Sequence, residues 1–155
     1  MSYQYQHSQP AVLFRAMTGV MMVACIMLMI GLVVDDAYVG DALPAMIVFA
    51  LVMAVVLVFF HSLTVSITRE EIKLTFGIGL IRKHFAIADI ESASIVQNHW
   101  YQGWGIRKIR SGWLYNVSGF DAVEINLKNG RRYRIGTDQP RELCRAIEAA
   151  IATAA

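Results

Sequence analysis

Two stretches of this chain carry no charge for 19 residues each: Ala16–Val34 (AMTGVMMVACIMLMIGLVV) and Ala42–Phe60 (ALPAMIVFALVMAVVLVFF). At a rise of 1.5 Å per residue, a helix over either run would be about 28 Å long, close to the ~30 Å hydrocarbon core of a bilayer. A buried helix of a soluble bundle would show a polar stripe at helical spacing, and neither run has one. The pattern therefore predicts two transmembrane helices. The first run exceeds the roughly 7–15 apolar residues of a cleavable signal peptide and has no A-x-A exit before Asp35, so it is expected to be retained.

The remainder has an ordinary composition. The whole chain of 155 residues is 56% hydrophobic and only 17% charged. From Ser66 to Ala155, however, 13 Lys and Arg and 9 Asp and Glu restore a soluble-protein share, which averages about 25%. We therefore divide the chain into an N-terminal tail (1–15), a two-helix transmembrane hairpin (16–62) and a water-soluble domain (63–155). The link between the runs, Asp35-Asp36-Ala37-Tyr38-Val39-Gly40-Asp41, holds three carboxylates and no base, whereas Arg15 precedes the first run and Arg69 and Lys73 follow the second. Basic residues favour the cytoplasmic side, so both termini are expected in the cytoplasm and the acidic link outside, with the protein in the inner (plasma) membrane. Pro44 suits the first turn of the second helix. The acidic link has no regular metal-ligand spacing, and neither run contains an ionisable residue of the kind that marks an ion or proton path.

After Phe60 the period changes from helical to alternating. Leu63–Thr68 and Glu71–Phe76 alternate apolar and polar residues around Arg69-Glu70, which predicts a strand hairpin. Further strands are expected at Leu80–Ala86, Ser92–Gln97, Ile106–Arg110, Trp113–Ser118, Ala122–Leu127 and Arg131–Gly136, about seven or eight in all. Thr137 or Asp138 can cap a last helix, with Pro140 in its first turn and Leu143, Ile147, Ala150 and Ile151 forming one stripe. The fold class expected is a membrane α-helical hairpin plus an α+β domain, the latter a small antiparallel β-sandwich or barrel closed by a C-terminal helix.

Charge also selects a register within Val123–Ile135. A two-residue Asn129-Gly130 loop would set Arg134 beside Ile125 and Arg132 beside Leu127 on the buried face. A three-residue loop with Gly130 left-handed instead pairs Ile125 with Tyr133 and Val123 with Ile135, and places Glu124 against Arg134 on the solvent face. Burying two guanidiniums would cost several kcal/mol, so the second register is expected.

The order of these elements resembles the bacterial pleckstrin-homology-like domains, which often follow one or two membrane spans. The matching features are the hairpin Leu63–Phe76, the strand at Gly79-Leu80-Ile81-Arg82-Lys83, the segment Ile87-Ala88-Asp89-Ile90-Glu91-Ser92, and the closing Ile135-Gly136-Thr137-Asp138-Gln139-Pro140 into a helix. The resemblance covers roughly Leu63 to Ala152 and implies a binding or scaffolding role. Eukaryotic members that bind phosphoinositides use basic residues flanking the first hairpin loop. Here that turn is the nearly neutral Arg69-Glu70, so the likeness does not carry phosphoinositide binding across.

Side chains able to do chemistry are scattered. His7, His61, His84 and His99 form neither a triad nor an H-x-x-x-H ligand pair, and Cys25 and Cys144 are expected as free thiols. Gly77-x-Gly79 and Gly103-x-Gly105 lack the strand–turn–helix context of a phosphate loop and read as turns. We expect no catalysis, no metal and no cofactor. The exception to this scatter is Trp100–Tyr115, which holds all three Trp and three bases without an acid. If Ser111-Gly112 is its turn, Arg110 opposes Trp113 and Lys108 opposes Tyr115. Trp, Tyr, Lys and Arg together suit a membrane–water interface, and Trp104, Arg107, Lys108, Arg110 and Trp113 are the candidate contacts to the lipid surface or to a partner. The same aromatics could equally cover an open end of the sandwich. The expected function is a membrane-anchored binding or scaffold module with the bilayer, a protein partner or a second copy as ligand, and not nucleic acid. The alternative is an accessory subunit of a larger membrane complex, recognised through its helices.

Overall fold

The computed structural model describes residues 4–34 and 42–154. The acidic link 35–41 and its expected outside location fall beyond the described residues. Strand β1 (Tyr5–Pro10) leads through Ala11 into helix α1 (Val12–Val34). Helix α2 (Ala42–Phe60) leads through His61 into β2 (Ser62–Ile67) and β3 (Glu71–Phe76). Then come β4 (Ile81–Ala86), β5 (Ile90–Gln97), β6 (Gly105–Ile109), β7 (Gly112–Asn116), β8 (Asp121–Leu127), β9 (Arg132–Gly136) and helix α3 (Pro140–Ala154). One sheet has the order β1-β2-β3-β4 and the other β5-β8-β9-β7-β6.

The alternating runs behave as their pattern requires. Leu63 faces Phe76, Val65 faces Leu74 and Ile67 faces Ile72, all six buried between the sheets. Tyr115, Val123, Ile125, Tyr133 and Ile135 come from the opposite sheet, and Leu143, Ile147 and Ala150 of α3 complete the same core. The hairpin β8–β9 adopts the three-residue loop, with Val123 opposite Ile135, Glu124 opposite Arg134, Ile125 opposite Tyr133, and Gly130 at φ +80°. Burial differs from expectation on one point. Glu124 and Arg134 lie on the face turned away from the core, yet their side chains are only 10% and 17% exposed. The segment after Gln97 folds across that face, and Asn98 Oδ1 accepts a hydrogen bond from Arg134 Nη1 at 3.5 Å.

Three other expectations require correction. The second sheet is mixed, because β7 runs parallel to β9 while the remaining pairs are antiparallel. The hairpin β6–β7 turns at Arg110-Ser111, two residues away from the register expected, so Lys108 opposes Trp113 and Ile106 opposes Tyr115. That arrangement matches the buried Tyr115 with an apolar neighbour packed on the core, where the other register would have offered it an ammonium group. Gly112 belongs in the ladder because its backbone, at φ +145°, lies against the Arg132 carbonyl with no room for a Cβ.

The third correction concerns residues 1–15, expected as a tail. Tyr5–Pro10 is an edge strand paired residue for residue with β2, and α1 already begins at Val12. Its side chains are anchored by polar contacts: Ser8 Oγ accepts from Thr64 Oγ1 at 3.0 Å, and Gln9 Nε2 donates to the Ser118 carbonyl at 3.1 Å. His7 Nε2 lies 2.6 Å from Asp138 Oδ1. A strand held this way has no apolar alternation to reveal it.

The two long helices therefore leave the domain from adjacent, hydrogen-bonded strands. The Ala11 N–H donates to the His61 carbonyl at 2.9 Å, closing the junction. An aromatic series continues it: Phe14 to Phe60 (6.5 Å between centroids), Phe60 to Phe76 (5.9 Å), Phe76 to Tyr115 (6.3 Å) and Tyr115 to Phe85 (6.4 Å). Gly77, at φ +49°, packs on the carbonyls of Val58 and Phe59, where any Cβ would collide.

The phenol of Tyr5 reports on β1. Burial first, then the Asp138 and Glu142 carboxylates, push its pKa from 10.0 up to about 12. Between those values the unfolded chain releases a proton that the folded one keeps, so stability is intact below pH 10 and falls as pH rises toward 12. Burial also raises Tyr115. Comparing urea midpoints at about pH 9 and about pH 11 should show the loss in the parent and a smaller one in Tyr5→Phe. An equal loss in both would remove Tyr5 as a cause.

Candidate functional site

Strand ends sort the connections of the domain into two groups. At the helix-bearing end lie Gly77–Leu80, Asn98–Trp104 and Val117–Phe120; at the distal end lie Thr68–Glu70, Ile87–Asp89, Arg110-Ser111 and Lys128–Arg131. The first group exposes large apolar side chains: Ile78, Leu80 (67%), Trp100 (79%), Tyr101 and Phe120. The second exposes Arg69, Glu70, Asp89, Arg110, Lys128 and Arg131. Alternation along the strands and the opposed directions of β6 and β7 place the five candidate residues at both ends.

Trp104 and Arg107 belong to the helix-bearing end. A 3₁₀ turn at Trp100–Gln102 is closed by the His99 N–H donating to Gln102 Oε1 at 2.9 Å. The following Gly103, at φ +63°, leaves space for the Arg107 guanidinium, whose Nη1 would stand 3.0 Å from any Cβ there. Trp104 packs at 6.4 Å from the Phe120 ring, and its buried Nε1–H finds no partner among the described residues. Trp104, Arg107 and Asn116 share a cleft of about 260 Å³ with Phe14, Val56 and Phe60 of the two helices.

Lys108, Arg110 and Trp113 lie toward the distal end: Lys108 follows Arg107 directly but points to the opposite face of β6, and Arg110 is about 10 Å past Arg107 at ~3.3 Å per residue. They line a second cleft, of about 340 Å³, together with Arg131, Arg132 and Tyr133 of the β8–β9 turn. The parallel pairing of Trp113 with Tyr133 is what brings the two turns together. Sequence reasoning missed Arg131 and Arg132 as companions of Arg110. The basic pair after Asn129-Gly130 was visible, but no local pattern announces a parallel neighbour. Among the described residues Lys108, Arg110 and Arg131 make no ion pair, while Arg132 Nη1 is 3.8 Å from Glu124 Oε1.

Elsewhere the titratable groups are dispersed. His7 with Asp138 and His84 with Glu71 (2.8 Å) sit on opposite edge strands of one sheet, and neither pair is hydrogen-bonded to a nucleophile among the described residues. No group of three His, Cys, Asp or Glu side chains with metal-binding proximity occurs among them either. Cys144 is buried, and burial, followed by the Glu148 carboxylate, pushes its thiol up, away from the reactive thiolate. Compared with protein-family models, with curated proteins and with solved structures, the chain matches none.

Proposed function

We propose that this chain is a membrane-anchored binding module: α1 and α2 cross the inner membrane, and the β domain stands on the cytoplasmic face with its helix-bearing end against the lipid. The observation that carries this reading is the naked apolar surface of the helices. Among the described residues, nine large hydrophobic side chains of α1 and seven of α2 are exposed, far more than the few hundred Å² of apolar patch that a soluble monomer presents. Among the described residues neither helix is enclosed by the rest of the chain, so lipid is the solvent that suits them. The apolar turns at the same end, with the Trp104 indole and Arg107 beside them, match the preference of Trp, Tyr and Arg for the interface.

Arg15 in the first turn of α1, with Arg69 and Lys73 after α2, supports placing the domain in the cytoplasm. Two packed sheets with a closing C-terminal helix agree with a pleckstrin-homology-like domain. A second reading, an accessory subunit recognised through its helices, is favoured by one feature. An apolar groove of about 310 Å³ runs between α1 and α2, lined by Met22, Ile26, Met29 and Phe49.

Single-Trp variants of the full chain in bilayers with brominated acyl chains test the orientation. Trp100 and Trp104 should be quenched strongly and Trp113 weakly. Equal quenching of Trp113 would overturn it, and a chain released from membranes by alkaline carbonate would overturn the anchor itself. Sidedness is read at Ser111→Cys, since Cys144 is buried: a lipid-impermeant thiol reagent should label it only in broken cells.

A further inference from the structure

We propose that the distal cleft is a binding site for a phosphate-bearing anion dissolved in the aqueous phase. Four cations line it, Lys108, Arg110, Arg131 and Arg132, and no acid does. Glu124 does not cancel them: its Oε2 is held by Arg134 Nε at 2.7 Å, and only the looser 3.8 Å approach of Arg132 reaches its other oxygen. The Lys83 ammonium adds positive charge behind the floor, 5.9 Å from the Tyr133 ring centre. Like charges around one cleft repel one another, and an anion between them converts that repulsion into attraction. Guanidinium forks suit phosphate oxygens in particular, which they bind bidentately.

The site is built by the fold. Trp113 and Tyr133 pair across the parallel strands, and the missing Cβ of Gly112 lets the two turns approach. A volume of about 340 Å³ is that of a small-molecule pocket, commonly ~300–1,000 Å³. Trp113, 42% exposed, provides a flat wall beside the cations. Headgroups beneath the domain are the other source of phosphate. Counted from Gly105, where β6 begins at the helix-bearing end, Lys108 and Arg110 lie about 10–17 Å along the strand, more than the ~8 Å Debye length at physiological salt, so with that end on the lipid a free ligand is the source the geometry favours. The site itself follows from the geometry of the domain, whereas its assignment to a dissolved ligand rests on the proposed seating of the helix-bearing end on the lipid.

The test uses the purified full chain in a zwitterionic detergent, titrated with inorganic pyrophosphate by calorimetry. Saturable binding is expected, weakened at least about tenfold in the double variant Arg110→Gln/Arg131→Gln and unchanged in Arg141→Gln/Arg145→Gln, which alters two exposed bases of α3. No saturable binding by the folded parent, or equal weakening in both double variants, would overturn the site. In nanodiscs, equal pyrophosphate affinity with phosphatidylglycerol and with phosphatidylcholine supports a free ligand. Displacement of pyrophosphate by the anionic lipid would overturn that assignment. The detergent titration involves no bilayer, so failure of the binding site there and failure of the anchoring proposal are distinguishable.

Discussion

Replacing Glu124 by Ala is expected to lower the unfolding free energy of the domain by about 3–5 kcal/mol, the usual cost of breaking a buried ion pair from one side. The Glu124 side chain is 10% exposed and Arg134 17%, and their 2.7 Å contact is the shortest carboxylate–guanidinium approach among the described residues. Without the carboxylate, Arg134 retains only the 3.5 Å bond to Asn98, and a guanidinium stranded under the Asn98–Trp104 segment has little water to turn to. Glu124→Gln, which keeps an acceptor oxygen, should cost less. Glu124→Leu with Arg134→Leu should recover most of the loss, because removing both charges together removes the desolvation penalty as well. Denaturant titration of the full chain in detergent measures all three. A double variant as unstable as Glu124→Ala would mean that packing, not charge, is what the pair provides.

Phe76→Ala should cost a similar ~3–5 kcal/mol, the range for a large aromatic removed from a closed core. The larger consequence is mechanical. Phe76 is the ring through which Phe60 of the second helix meets Tyr115 of the opposite sheet, and the turn that follows it rests on the last carbonyls of that helix. With the ring gone, the aromatic link from α2 to the opposite sheet is cut, and the paired strands and the Gly77 turn carry more of the junction. Spin labels on α2 and β7 should report a distance distribution clearly broader than in the parent. An unchanged width would show that the backbone pairing of β1 with β2 and the Gly77 turn hold the junction rigid.

The legible parts of this fold are those in which one side chain's environment dictates the next. Leu63, Val65 and Ile67 announce a strand because each second residue must reach the core, and the β8–β9 register follows from refusing to bury Arg132 and Arg134 beside Leu127 and Ile125. The β6–β7 hairpin shows where such reasoning stops. Its two registers place the same residues on the same faces, and the choice rests on a contact with the Arg132 carbonyl that lies in another hairpin. The first strand was hidden for a related reason. Its partners Thr64, Ser118 and Asp138 are polar and distant in the chain, so its own residues carry no period.

The two long helices were legible as uncharged runs, and about seven or eight alternating segments and one amphipathic helix as local periodicity, since burial acts on each side chain by itself and leaves its mark along the chain. Tertiary structure alone decided that the aromatic–basic segment would be divided, with Trp104 and Arg107 beside the helices and Lys108, Arg110 and Trp113 beside Arg131 and Arg132. Which strands become neighbours depends on how two sheets close over a shared core. That is a property of the whole chain, to which no single stretch of residues is sensitive.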